Sequence, residues 1–90
     1  MQRVHLIISG DVQGVGFRAW AKWQAKKLGL VGWVKNREDE SVELVAEGTK
    51  GKLEELIIRC RRGPEIALVK NIDSTWSDGI DELVGFEVVH

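Results

Sequence analysis

Four residues, Arg37-Glu38-Asp39-Glu40, separate two strand-like runs, Leu30 to Asn36 and Ser41 to Glu47. A parallel pair of strands needs a crossover of a dozen or more residues, so a gap this short admits only an antiparallel hairpin. In the second run Val42, Leu44 and Ala46 alternate with Glu43, Val45 and Glu47, the two-residue period of a sheet with one covered face. Any fold for this chain is therefore built around a hairpin near its middle.

The flanking segments fall into place around it. Arg3 to Ser9 reads as a strand, with Val4, Leu6 and Ile8 on one face and Arg3, His5 and Ile7 on the other. Phe17, Trp20, Ala21, Ala25 and Leu28 recur at helical spacing, and Gly29 is a natural stop. Trp20 and Trp23 both read as packing residues. Beyond the hairpin, Leu53, Leu56, Ile57 and Cys60 mark a second helix from roughly Lys50 to Arg61, ended by Gly63-Pro64. Ala67 to Trp76 and Phe86 to Val89 read as strands, with a turn at Asp78-Gly79. The order is β-α-β-β-α-β plus a short terminal strand, an α+β, ferredoxin-like sandwich with two helices on one face of a mainly antiparallel sheet. Ninety residues suit a single domain, 1–90, with no room for a second core.

Composition limits the partners. A net charge of −1 gives no general attraction to nucleic acid or to acidic membranes. No apolar run reaches membrane-spanning length and no signal peptide opens the chain, so a cytoplasmic location is expected. One cysteine excludes an internal disulfide, and with two histidines far apart, His5 and His90, no metal-ligand cluster is expected.

Chemistry concentrates in Gly10-Asp11-Val12-Gln13-Gly14-Val15-Gly16-Phe17-Arg18, between the first strand and the first helix. Its three glycines permit backbone angles that turn successive N–H groups toward one centre, and the helix N-terminus adds further free N–H groups. Arg18 places a fixed, forked cation in the first helical turn, where the helix dipole disfavours it, and a tetrahedral phosphate is the anion that suits the fork. Two better-known phosphate loops do not fit. The nucleotide-triphosphate loop needs Gly-Lys followed by Ser or Thr, and Phe17 follows Gly16. Gly14-x-Gly16-x-x-Ala19 has the spacing of the dinucleotide fingerprint, but the hairpin breaks the βαβ alternation that fingerprint requires.

By analogy with the ferredoxin-like order, the first and second strands run parallel with the third between them. Asn36, at the end of the second strand, then lies beside the glycine loop. Taken alone it reads as a hairpin residue; beside an anion cradle its amide can position a water. Such a site contains no evident general acid for a poor leaving group. It favours a leaving group that departs as a stable anion, such as a carboxylate, whose conjugate acid has a pKa of about 4. A mixed carboxylic–phosphoric anhydride is thus favoured over a phosphate monoester.

Gly10 to Arg18 resembles the acylphosphatase signature, and Gly32-Trp33-Val34-Lys35-Asn36 resembles that family's second motif. Ser41 to Gly48, Gly63-Pro64 and Ala67-Leu68-Val69 are similar to the stretches that follow. The resemblance implies cofactor- and metal-independent hydrolysis of acyl phosphates, with inorganic phosphate as product or inhibitor. It implies that Arg18 binds the phosphate, that Gln13, Gly14, Val15, Gly16 and Phe17 supply cradle amides, and that Asn36 holds the attacking water. A monomer is expected, bound to neither nucleic acid nor membrane. Asp39-Glu40 stands where the family often carries Asp-Gly, which leaves the turn geometry open. The alternative function is a non-catalytic ferredoxin-like binding module for RNA or a regulatory ligand, using aromatic side chains on the open sheet face.

Overall fold

A computed structural model describes all 90 residues, Met1 to His90. The elements are β1 (Gln2–Asp11), α1 (Phe17–Lys27), β2 (Val31–Asn36), β3 (Val42–Gly48), α2 (Lys50–Arg62), β4 (Leu68–Asp78) and β5 (Phe86–Val89). They form the ferredoxin-like α+β arrangement expected from the sequence. One five-stranded sheet has the order β4-β1-β3-β2-β5. β1 and β2 are each antiparallel to β3, so they run parallel to one another with β3 between. β1 continues two residues past Ser9 through a bulge at Ser9/Gly10, where a side chain on Gly10 would run into the Leu68 carbonyl of β4.

The core is the face covered by the helices. Val4, Leu6 and Ile8 of β1, Val34 of β2, and Val42, Leu44 and Ala46 of β3 are buried against Phe17, Ala21 and Ala25 of α1 and Leu53, Leu56 and Cys60 of α2. The two-residue strand period and the helical stripe therefore meet as read from the sequence. Trp20 packs partly on this core, its ring centroid 5.4 Å from that of Phe17. Trp23 does not: it is 62% exposed, with the Lys27 ammonium 5.4 Å from its ring centroid. At about 100° per residue, Trp23 is about 200° around the helix from Ala21, on the far side of the buried stripe.

The opposite face of the sheet is open and laced with charge. His5 Nε2 lies 2.6 Å from Glu43 Oε2, and Lys35 Nζ lies 3.8 Å from Glu43 Oε1. Trp33 is the one aromatic residue on this face, at the level of His5 and Val45; Trp76 is paired with Val4 and so belongs to the helix side. Glu47, also expected on this polar face, is fully buried there. Its carboxylate accepts from the N–H groups of Ile80 and Asp81, each at 3.2 Å, and Arg3 Nε lies 3.3 Å away.

That carboxylate explains how the last strand reaches its place. β4 and β5 occupy opposite edges, separated by four inter-strand spacings of about 4.8 Å each. The eight links from Asp78 to Phe86 extend to about 27 Å at most, enough to cross with little slack. The crossing segment is held by Gly79 N–H to Met1 C=O (3.1 Å), by Glu47 at Ile80 and Asp81, and by its Gly85 carbonyl, which accepts from Gly32 N–H at 2.9 Å. β5 then runs parallel to β2, with Gly32 opposite Phe86 and Lys35 opposite Val89.

Candidate active site

The carboxyl ends of β1, β2 and β5 converge on the N-terminus of α1. Between them lies an open cleft of about 240 Å³ lined by Val12, Gly14, Gly16, Phe17, Arg18, Ala19, Asn36, Val88 and His90. Arg18 and Asn36, eighteen positions apart in sequence, thus share one cavity, as parallel β1 and β2 require.

The loop leading into α1 carries an unusual density of free donors. None of the amides from Gln13 to Ala19 donates to a carbonyl or side chain of the protein; the first helical bond is Trp20 N–H to Gly16 C=O at 3.0 Å. Gly14 and Gly16 have φ of 74° and 78°, while Val15 between them keeps an ordinary negative φ. Alternation of this kind turns consecutive N–H groups to one side and makes an anion-binding concavity. Gly16 is the N-cap of α1, no side chain caps the helix, and its first turn holds no acidic residue. The partial positive charge of the helix start is therefore left uncompensated, and Arg18 adds to it.

Asn36 presents the complementary group. Its Oδ1 is buried and has no hydrogen-bond partner. A buried carbonyl oxygen without a donor is costly, so such atoms concentrate where a ligand or water completes the set. Arg18 Nη1 lies 3.2 Å from Nδ1 of His90, which reaches the cleft from the end of β5.

Gln13 and Val15 do not line this cleft with their side chains. Val15 packs partly on the core. The Gln13 carboxamide donates to Arg37 O and to Ser41 O, both at 2.9 Å, tying the loop to the hairpin that follows Asn36. Arg37 N–H donates to Ser41 O at 2.8 Å, and Glu40 N–H to Arg37 O at 3.3 Å, closing a four-residue turn in which Glu40 takes φ 72°. Glu40 thus adopts the left-handed conformation that glycine favours, without lengthening the loop. Asp39 braces the same turn: the Ser41 hydroxyl and the Ser41 N–H both donate to Oδ1, which holds its carboxyl below the ordinary carboxylate range, with Arg37 contributing. The place of His90 in the cleft is not legible in the sequence, because only the parallel return of β5 brings it to Arg18. The side-chain tether of Gln13 is equally hidden, because its partners lie 24 and 28 positions away.

The acylphosphatase family model matches residues 4–88, nearly the whole chain and both loops that form the cleft. The chain belongs to the acylphosphatase family. An acylphosphatase of Salinibacter ruber is 46% identical over 87 residues, covering 97% of this chain and 92% of its own length. One from an Anaeromyxobacter species is 43% identical over 90 residues, covering 100% and 97%. The crystal structure of acylphosphatase from Bacillus subtilis superposes with a TM-score of 0.97 at 37% identity, with full coverage of both chains. The matches run over nearly the whole length of each relative, and the Bacillus subtilis enzyme shares the architecture.

Proposed function

We propose that this acylphosphatase hydrolyses small acyl phosphates to a carboxylate and inorganic phosphate by direct attack of water on phosphorus, with residues 1–90 acting as one catalytic domain. The phosphoryl oxygens accept from the amides of Gln13 to Phe17 and from the Arg18 guanidinium. A water donates to Asn36 Oδ1 and is held in line with the bond to be broken. The carboxylate leaves as an anion, so no general acid is needed: its conjugate acid has a pKa of about 4. Rate enhancement comes from positioning and from donors already aimed at the charge of the transferring group. Each such donor is worth about 10²–10³-fold in turnover.

The observation that carries this reading is the buried, unpartnered Oδ1 of Asn36 in the same cleft as Arg18 and a run of unpaired amides. No helix is long and apolar enough to cross a membrane, and the setting we propose is the cytoplasm, with the protein as a monomer.

The test is hydrolysis of a simple acyl phosphate in the presence of a chelator. Wild type should turn over undiminished. Arg18→Ala should lose both phosphate binding and turnover, and Asn36→Ala should bind inorganic phosphate normally while turnover falls by about 10²-fold or more. Full activity in the Arg18 variant would refute the assignment.

A further inference from the structure

His90 stands beside Arg18, and the mechanism above makes no use of it. The bond between Arg18 Nη1 and His90 Nδ1, at 3.2 Å, is the one side-chain hydrogen bond Arg18 makes. A guanidinium carries donors only, so Nδ1 must be the acceptor and the ring proton sits on Nε2. The contact is produced by the fold: with Lys35 opposite Val89, the next step along β5 carries His90 to the level of Asn36. The charged groups around the ring are Arg18 from α1, Lys35, Arg37, Glu38 and Asp39 from β2 and the hairpin, and Glu43 from β3. Lys35 is paired with Glu43 and Arg37 with Asp39, so Arg18 is the cation that His90 meets directly.

We infer that His90 is a positioning residue for Arg18, its unprotonated Nδ1 holding the guanidinium in the orientation that grips the phosphoryl group. The inference rests on the reading of Arg18 as the phosphate-binding cation. A long flexible side chain fixed before the substrate arrives loses less freedom on binding it. A proton on Nδ1 would set N–H against N–H and place two cations in contact, releasing the guanidinium. Because the contact needs an unprotonated Nδ1, pH is the variable that reads it.

Two readouts test it on wild type, His90→Gln and His90→Ala; the ring is exposed, and thermal melts confirm that each variant folds. The first reads the contact without any ligand: the Arg18 side-chain N–H signals by NMR between pH 5 and 8. They should move with pH in wild type and stay flat in both variants. Signals that are flat in wild type would overturn the inference, whatever the enzyme does. The second is kcat/KM for an acyl phosphate over the same range. At pH 8, His90→Gln, whose carbonyl oxygen accepts at any pH, should stay near wild type, and His90→Ala should fall about three- to tenfold. Toward pH 5, wild type should decline relative to His90→Gln. Parallel profiles for all three, or a wild type that gains on His90→Gln as pH falls, would overturn it. Moving Arg18 signals in a protein without hydrolysis would keep the contact and refute the proposed function instead.

Discussion

Asn36 and Cys60 show how differently burial acts on two polar atoms. Burial leaves Oδ1 of Asn36, a residue that lines the cleft, with an unmet acceptor. Burial of the Cys60 thiol in the apolar core only disfavours its charged form and pushes its pKa from 9.0 up to about 12. The thiolate is the reactive species, so Cys60 should be labelled by thiol reagents no faster than the protein unfolds; rapid labelling of the native state would contradict its placement. Because its folded pKa is raised, the stabilising contribution is complete below pH 9 and is lost as pH rises toward 12. Denaturant titrations should therefore show wild type losing about 1.4 kcal/mol per pH unit relative to Cys60→Ala in that interval. The burial of Cys60 was legible in its place on a helical stripe. Trp23, expected to pack, is exposed because its angle on the same helix sets it opposite the buried stripe.

The hairpin between β2 and β3 sets where Asn36 lies relative to the glycine loop, and the side chains of Gln13, Asp39 and Ser41 hold it. Gln13 binds the carbonyls of Arg37 and Ser41, and its removal should separate stability from chemistry. Gln13→Ala should cost about 1–2 kcal/mol in denaturant unfolding. It should lower kcat about ten- to a hundredfold while leaving the affinity for inorganic phosphate nearly unchanged, since only the relation between cradle and water shifts. Glu40 occupies a left-handed position that costs an L-residue about 1–2 kcal/mol, partly offset by the chain entropy that glycine would add. Glu40→Gly should raise the unfolding free energy by about 0.5–1 kcal/mol; a loss would mean that the Glu side chain makes a compensating contact. Asp39 completes the turn, and its depressed pKa means that its contribution is present above the ordinary carboxylate range and lost only at more acid pH. The four-residue gap made the hairpin legible. The tether from Gln13 was not, because a side chain that spans 24 or 28 positions leaves no local pattern.

Across the whole molecule, the site is a consequence of strand order. Antiparallel pairing of β3 with both β1 and β2 brings the glycine loop and Asn36 to one edge, and this much followed from the analogy with the ferredoxin-like order. The position of β5 did not. Its placement depends on a crossing segment held by Glu47, a residue whose alternation with Leu44 and Ala46 suggested a solvated carboxylate. Burial by a distant loop overrides such a pattern, and here it delivers His90 to the cleft. The central claim is that this convergence directs water at phosphorus rather than at the acyl carbon. Hydrolysis of an acyl phosphate in ¹⁸O-labelled water, with chelator present, separates the two. The label should appear in inorganic phosphate and be absent from the carboxylate product, and label in the carboxylate would contradict the account.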